Sequence, residues 1–470
     1  DDAIATPDAD FPWAYDETTL QAEAGRWTKA GAMALKARIL QFAASPLFND
    51  SQGYYGGSSE AEQKHLVWYG EYKPEYWTRF KDACKAFLDK LNASGGYSLV
   101  QADGTRPEDY RLAYRTAYFD EGSSELIHSV HWLNKPGSSY NWYSWIGNTR
   151  SAYAVTQEYV EMFPWSDGTP FDWDKAENDG KLNQMFVTGD SVKGKTLLQN
   201  VRLTRDPRLY ETVIVNGGIP TLDWTTAAMT GTPYETWVGG STGGKNSQDE
   251  SGSFATGYRV LKYSFSEYSG HGLQWATIRL SDVYLMYAEA LIQTNISGNF
   301  KDAIEWIDKV RARVGMKGLV ECNPDKDLLH NKELLMQELF RERACELGFE
   351  NARYMDMVRY KMKSTFEKPL HGLRIYRMVK NPTTGKFERC NLQWYKASKG
   401  QTFTCSDGTK VKIAYKDGIQ QPTVFEYEKF ELNKGKRLWW SQGFDPKWYL
   451  TPFKTTEINK GYGLVQNPGW

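Results

Sequence analysis

The sequence predicts a mainly α-helical protein whose helices form antiparallel pairs and carry long, loop-rich insertions with short β-hairpins. Three observations lead to this fold class. Apolar residues recur at the 3.6-residue helical period in several stretches, short turns join these stretches in pairs, and two long regions rich in glycine and aromatic residues interrupt the series. We expect residues 1–470 to form one composite domain, since helical pairs with insertions can share a single core.

The first helical pair is predicted near residues 27–93, with helices over residues 29–44 and 76–92. In the earlier helix, four apolar residues fall near one stripe: Ala32, Leu35, Ile39 and Phe42. Lys36 and Arg38 lie off that stripe. This pattern predicts an amphipathic helix that buries the stripe against its partner.

Two further pairs are predicted near residues 276–314 and 330–361. Their helices cover residues 278–293 and 299–314, then 332–346 and 351–361. Such helix-turn-helix units resemble tetratricopeptide repeats, although the 34-residue spacing is not strictly kept. The sequence therefore predicts a helical-repeat scaffold.

The insertions are predicted near residues 95–272 and 366–445. They contain short strand-like runs at residues 125–132, 212–215 and 411–415, and residues 386–404 are predicted to form a hairpin. The glycine-rich segment 239–252 is predicted to be a mobile loop. We expect the insertions to carry the ligand-binding surface.

Composition excludes several functional classes. The chain has 57 Lys and Arg against 58 Asp and Glu, so it lacks the basic excess expected of a nucleic-acid-binding protein. No run approaches the 20 or so apolar residues of a membrane helix. Five cysteines are too few, and odd in number, for a disulfide framework, although Cys390 and Cys405 could flank a hairpin and pair.

No motif predicts catalysis, a metal or a cofactor. The segment GGSTGGKN at residues 239–246 is near both a nucleophile elbow and a phosphate-binding loop, but no helix follows it. Asp172, Asp174 and Asp179 lack the glycine and terminal glutamate of a calcium loop, so a solvated acidic loop is the preferred interpretation. We expect catalytic residues, metals and cofactors to be absent.

The charged segment 341–361 is predicted to be structural. Glu346 and Glu350 lie four residues apart, a spacing that is compatible with an acid–base pair on one helical face. Arginines at positions 343, 353 and 359 interleave with Glu346 and Asp356, and carboxylates paired with arginine make poor general acids. We therefore expect an ion-pair network that locks two helices together.

The best candidate for a binding site is the aromatic loop, residues 131–150, which has turn residues at both ends and no strand alternation. Aromatic residues make up 14% of the chain, and exposed aromatic patches usually mark binding sites. Flat rings suit the faces of sugars, and polar neighbours could bond to hydroxyl groups. The candidates are Trp132, Tyr140, Asn141, Trp142, Tyr143, Trp145 and Arg150. Trp224 and Trp237 flank a second, weaker candidate loop. The alternative is that these rings cover the edge of the helical bundle.

The order of motifs along the chain resembles the SusD/RagB-like outer-membrane lipoproteins of Bacteroidetes. The motifs lie at residues 25–49, 155–170, 205–217, 278–291, 341–361 and 449–470. The resemblance implies a non-enzymatic, tetratricopeptide-like protein that binds oligosaccharide or polysaccharide. It further implies an N-terminal lipid anchor on the extracellular face of the outer membrane and a SusC-like TonB-dependent transporter as partner.

The sequence departs from this family in one respect, and two other functions stay open. In this family a substantial N-terminal helical region precedes the helix that starts near Gly25, and this sequence lacks it, so the predicted site is at best partial. A peptide or protein ligand is the first alternative, because some relatives serve peptide importers. A glycoside hydrolase is the second, and it would need two carboxylates facing each other across a cleft.

Overall fold

The computed structural model describes residues 1–132, 154–188, 202–263, 273–413 and 424–470, apart from positions 17, 19–22, 24, 121, 222–226, 228–232, 241, 243–249, 251–253, 391, 393–400 and 434–438. Within these residues the chain is mainly helical, with small antiparallel sheets, as the sequence predicts. Three pairs of long helices form the scaffold, and the strands lie in the insertions between and after them.

The α-helices are numbered in chain order over the described residues. They are α1 (Asp2–Ala5), α2 (Lys29–Ala44), α3 (Glu60–Gln63), α4 (Glu75–Ser94), α5 (Pro107–Phe119), α6 (Gln157–Met162), α7 (Trp173–Asn178), α8 (Leu209–Thr212), α9 (Leu280–Thr294), α10 (Lys301–Arg313), α11 (Leu319–Cys322), α12 (Lys332–Glu346), α13 (Ala352–Arg359), α14 (Lys363–Phe366), α15 (Trp439–Gln442) and α16 (Thr455–Ile458). Short 3₁₀ turns cover Leu182–Gln184 and Pro446–Tyr449.

The strands all pair in antiparallel fashion. They are β1 (Leu126–Trp132), β2 (Val187–Thr188), β3 (Arg202–Leu203), β4 (Val213–Ile214), β5 (Arg259–Val260), β6 (Leu273–Arg279), β7 (His371–Lys380), β8 (Phe387–Arg389), β9 (Gln401–Thr404), β10 (Lys410–Ile413) and β11 (Phe425–Glu431). The described pairs are β1 with β6, β2 with β3, β4 with β5, β9 with β10, and β7 between β8 and β11.

Helix α9 lies at the centre of the scaffold. It packs against α4 on one side and against α10 and α12 on the other, while α2 packs against α4 and α12 against α13. Two apolar clusters fill these contacts, one between α2, α4 and α9 and one between α9, α10 and α12. The three predicted pairs are therefore present, and α9 joins them into one bundle.

The buried face of α2 differs from the predicted stripe. Ile39 is 59% exposed, and the helix instead buries Ala30, Ala34, Ala37 and Ala44. The helix ends are as predicted, with Thr28 capping the start. Small side chains allow α2 to approach α4 closely, so tertiary packing selected the alanine face over the one with larger apolar residues.

The predicted hairpin over residues 386–404 is wrong. Strand β8 pairs back with β7 across a turn near Asn381, and β9 pairs forward with β10 across a turn near Gly408. Two hairpins therefore flank the place where one was expected. Cys390 and Cys405 are free and buried, so the open possibility of a disulfide between them is not realised.

An ion-pair network locks α9, α12 and α13 together, as expected for the charged segment. Arg343 on α12 donates to Asp356 on α13 at 2.7 Å and to Asp282 on α9 at 3.0 Å. Arg359 donates to Asp356 and, in a bidentate pair, to Glu289 on α9. All five side chains are buried, so these bonds are formed away from water and fix the relative positions of three helices.

Candidate functional site

The ladder of β1 and β6 positions the start of the aromatic loop. Trp132 ends β1 and pairs with Leu273, the first residue of β6, so the backbone at the loop's base is held by strand pairing. The side chain of Trp132 is not among the described parts of the structure, and these predicted site residues lie wholly outside the described residues: Tyr140, Asn141, Trp142, Tyr143, Trp145, Arg150 and Trp224. Their predicted roles remain predictions.

The base of this loop carries an exposed apolar residue. Val130 on β1 is 54% exposed and lies opposite Trp275 on β6. The Trp275 ring stacks on Tyr263, with centroids 4.7 Å apart and planes 18° apart. Because residues paired across an antiparallel ladder share a face, Val130 and Trp275 form one apolar surface beside the aromatic loop.

Trp27 is a candidate contact residue that the sequence reasoning missed. Its ring is 41% exposed and stacks on His128 of β1, with centroids 3.8 Å apart and planes 16° apart. His128 is fixed in turn by Thr277, whose hydroxyl lies 3.1 Å from its Nδ1. One feature of the sequence could have indicated that Trp27 is exposed. It lies just before the helix cap Thr28 and outside the apolar pattern of α2.

Gly31 makes room for the Trp27 ring. A Cβ atom at this position would lie 2.9 Å from the Trp27 ring, which is closer than carbon atoms normally approach. The ring can therefore fold over the first turn of α2 and reach His128. We call Trp27, His128, Val130 and Trp275 the Trp27 surface.

A polar cavity of about 180 Å³ adjoins the Trp27 surface. Its lining includes Tyr15, Arg26, Tyr97, Ser129 and Gln274. The hydroxyl of Tyr97 lies 3.4 Å from that of Thr28. An exposed indole beside hydroxyl and guanidinium groups can contact an apolar ligand face and bond to the ligand's polar edge.

Trp237 does not lie on the surface that its predicted role requires. Its side chain is 3% exposed and belongs to the core of the insertions. The ring packs 5.1 Å from Phe425, and the Arg377 guanidinium lies 5.8 Å from its centroid. Sequence reasoning could not distinguish it from an exposed tryptophan because the residues that cover it are distant in sequence.

Glu346 is the centre of a second buried network and is not positioned as a general acid. It accepts hydrogen bonds from Arg279, Arg313 and Arg208. Burial alone would raise the pKa of Glu346, but the three guanidinium groups outweigh that effect and hold the pKa well below its ordinary value. The carboxylate stays ionised and cannot donate a proton, so Glu346 forms structural ion pairs, as predicted for the charged segment.

The partners of Glu346 differ from those suggested by the sequence. In the sequence, Arg343, Arg353 and Arg359 lie close to Glu346. The arginines that bind it are instead Arg208 in the segment between β3 and α8, Arg279 of β6 and Arg313 of α10. Glu350, four residues further on, binds Arg279 at 2.9 Å. Both carboxylates that could be imagined as an acid–base pair are therefore neutralised by arginine.

Lys262 connects this network to the base of the aromatic loop. Its Nζ donates to Glu350 at 2.5 Å and to the hydroxyl of Tyr114 at 3.0 Å. It also lies 4.3 Å from the ring centroid of Tyr118 and 5.7 Å from that of Tyr263, which stacks under Trp275. Burial lowers the pKa of Lys262 to about 8, despite the opposite pull of Glu350.

Neither of two acidic clusters makes a convincing metal site. Asp172, Asp174 and Asp179 are exposed, as the solvated acidic loop predicts, but Asp174 lies in the short helix α7, and Asp172 caps that helix by accepting a hydrogen bond from the Lys175 amide. Among the described residues, one group has ligand atoms within 4.8 Å of one another: Glu388, Cys405 and Asp407. Burial and the nearby Glu388 raise the pKa of the Cys405 thiol, and Glu388 already accepts a hydrogen bond from the Ser406 amide, so we assign no metal to this group.

Comparison with known proteins supports the family resemblance. The sequence profile of the SusD family matches residues 114–470. A SusD-like protein from Bacteroides fragilis is 20% identical, with a TM-score of 0.58 over 99% of this chain and 69% of that one. The protein named BT4246 is 19% identical, with a TM-score of 0.60 over 99% of this chain and 78% of that one.

At this level of identity the likeness shows the fold, and it confirms the mainly helical, tetratricopeptide-like scaffold. No curated protein matches the chain. Across the described residues, no helix combines the length and apolar character needed to cross a membrane.

Proposed function

Because the chain belongs to the SusD family, we propose that it is a non-catalytic protein that captures oligosaccharide or polysaccharide. The observation that carries this proposal is the exposed Trp27 ring stacked on His128 beside the base of the aromatic loop. A ring held in this way loses little conformational freedom when a ligand stacks on it. The Trp27 surface and the aromatic loop together would form one platform.

The chemistry of this platform suits a sugar. The face of an indole ring is apolar and flat, so it can cover the C–H face of a pyranose, while Arg26 and Tyr97 line a cavity beside it and can bond to hydroxyl groups. The formal net charge of −1 provides no general attraction for polyanions. A neutral glycan is therefore the ligand class that we favour.

The proposal extends to delivery and location. A glycan-binding protein of this family is expected on the extracellular face of the outer membrane, held by an N-terminal lipid anchor and passing its ligand to a SusC-like TonB-dependent transporter. Family membership supports this part of the proposal. Co-purification of the transporter with the tagged, full-length protein from detergent-solubilised outer membranes tests it.

Replacing two rings of the aromatic loop tests the binding platform. The double variant Trp142→Ala/Trp145→Ala should bind its glycan at least tenfold more weakly, because each stacked aromatic ring contributes on the order of 1 kcal/mol. Trp27→Ala should weaken binding in the same direction. Isothermal titration calorimetry against α-glucan, β-glucan, xylan and mannan fragments measures the change.

The matched control is Tyr462→Ala, which removes an aromatic side chain that is 69% exposed in the C-terminal segment. It should leave affinity unchanged. Equal affinity of the wild type and the double variant would contradict the platform, and binding of a peptide pool in place of glycans would favour the peptide-import alternative. Release of reducing sugar by the purified protein would contradict the non-catalytic assignment.

A further inference from the structure

A cleft of about 810 Å³ lies between the helical scaffold and the insertions, and it shares no lining residue with the cavity beside Trp27. One wall is the loop from Trp165 to Asp172 with helix α7, and the other is the segment after α11 with Arg341 of α12. Its volume is within the usual range for small-molecule sites, which often lie between packed units of a fold.

The cleft is held in shape by contacts between its walls. The Arg311 guanidinium donates to the Gly168 carbonyl at 3.3 Å, and the Cys322 thiol donates to the Asp167 carbonyl at 3.6 Å. Gly168 has φ +90°, and a Cβ atom there would lie 2.7 Å from the Cys322 sulfur. Only glycine permits this approach, so the loop is fixed directly on the scaffold.

Trp165 presents a partly exposed indole to this cleft. Its ring packs 5.2 Å from Phe171, and the buried Arg205 guanidinium lies 5.6 Å from its centroid. Its backbone forms a bridge with Arg205 and bonds to the Thr169 carbonyl at 2.8 Å. Since both the ring and its backbone are fixed, the indole is preorganised to receive a flat ligand.

Two buried polar oxygens of lining residues have no hydrogen-bond partner among the described residues. Asn323 is 5% exposed, and while its Nδ2 donates to the Leu319 carbonyl at 2.9 Å, its Oδ1 has no partner among the described residues. The Thr204 hydroxyl is likewise unpaired there. Both oxygens are shielded from solvent, so they lie behind the cleft wall and are not themselves contacts for a ligand.

The charged groups of the cleft are mixed in sign. Its carboxylates belong to Asp167, Asp172, Asp179 and Asp325, and its cationic groups to Lys175, Lys181, Arg202, Lys326 and Arg341. Such a lining offers both acceptors and donors to a neutral ligand with many hydroxyl groups.

We propose that this cleft is a second carbohydrate-binding site, in which Trp165 stacks on a sugar ring while the mixed polar lining binds its hydroxyl groups. The inference rests on the proposed glycan-binding function and extends it. A glycan chain held at two places on one protein gains avidity, because binding at the first site raises the effective concentration at the second.

Fluorine NMR of protein labelled with 5-fluorotryptophan tests the site directly. The variant Trp165→Phe identifies the Trp165 resonance by its loss. Titration with maltohexaose, cellohexaose, xylohexaose and mannohexaose should shift that resonance for at least one sugar, both in the wild type and in Trp142→Ala/Trp145→Ala. In calorimetry, Trp165→Ala and Asp325→Ala should each weaken binding of the same sugar to the loop double variant at least fivefold.

The outcomes separate this inference from the proposed function. If the wild type binds no glycan, both fail. If it binds glycan through the aromatic loop but the Trp165 resonance stays unmoved, the second site alone is overturned. A shift caused by a peptide pool but by no sugar overturns the ligand class. If Trp165→Ala fails to fold, the NMR titration and the variant Asp325→Ala, which changes an exposed residue, still test the second site. Lys301→Ala on α10 is the matched surface control.

Discussion

At the scale of single residues, Lys262 shows how a buried charge is tolerated in this protein. It is fully buried, yet it has a carboxylate partner in Glu350 and lies over the faces of Tyr114 and Tyr118. Ring faces attract a cation electrostatically, which offsets part of the lost hydration. The remaining penalty is visible in its pKa, which burial lowers to about 8.

This lowered pKa predicts a pH dependence with a definite sign. Between pH 8 and about 10.5, Lys262 is protonated in the unfolded chain but has released its proton in the folded chain. The contribution of Lys262 to the free energy of unfolding therefore rises with pH in this range. The penalty is fully present below pH 8. We compare the free energy of unfolding of the wild type with that of Lys262→Met. The difference between them should rise by about 2–3 kcal/mol from pH 7.5 to 10, because each tenfold difference in proton affinity corresponds to about 1.4 kcal/mol.

Urea unfolding at both pH values measures this difference, and Lys262→Arg serves as a variant that stays charged throughout. Subtraction of the Lys262→Met curve removes the contribution of the buried tyrosines that do not contact Lys262, such as Tyr258 and Tyr427. A difference that stays constant or falls across this range would contradict the assignment of the pH dependence to Lys262.

At the scale of secondary-structure elements, the helices are joined by buried ion pairs as well as by apolar contacts. Asp282 of α9 is shared by Arg343 of α12 and Arg38 of α2. Burial would raise the pKa of Asp282, but these two arginines outweigh it and lower the pKa. One carboxylate thus connects three helices of the scaffold.

Removing Arg343 should destabilise the scaffold strongly. In Arg343→Met the buried carboxylates of Asp282 and Asp356 would each lose one of two guanidinium partners. We expect a loss of about 3–5 kcal/mol in the free energy of unfolding, as is typical when one partner of a buried pair is removed. Chemical denaturation followed by far-UV circular dichroism measures the loss.

The control is Lys64→Met, which removes an exposed pair with Glu60 one helical turn away. It should change stability by less than about 1 kcal/mol, because exposed pairs gain little over hydration. A similar small effect of Arg343→Met would show that the buried network contributes little to stability.

At the scale of the whole molecule, the network around Glu346 joins the insertions to the scaffold. Glu125 precedes β1, Arg208 and Asp206 belong to the first insertion, and Arg313 lies on α10. All are buried. The first insertion, which carries the aromatic loop and Trp165, is therefore fixed to the helical bundle by charge pairing.

The same network predicts instability in acid. The pKa values of Glu346, Asp282 and Asp356 are lowered in the folded state, so their contribution is present above the ordinary carboxyl range and is lost as pH falls below about 4. The thermal midpoint should fall steeply between pH 5 and 3. Circular dichroism with and without 0.5 M NaCl measures it, and a midpoint that is independent of pH would contradict this role.

Much of the fold was predictable because helix ends depend on local signals. The predicted bounds of α2 and α12 match the structure, where Thr28 and Asn331 cap their first turns. The buried face of α2 and the pairing of β8 with β7 were not predictable, since both depend on which distant element supplies the neighbour. The same holds for Trp27, which became a candidate only when β1 placed His128 against it.

The sequence by itself determined the helical class, the positions of the long helices, the family resemblance and the high aromatic content, because periodicity, capping and composition are local properties. Only the tertiary structure decided which rings are exposed, which arginines neutralise Glu346, and that a cleft forms beside Trp165. These features arise where segments far apart in sequence meet, and packing and burial select them.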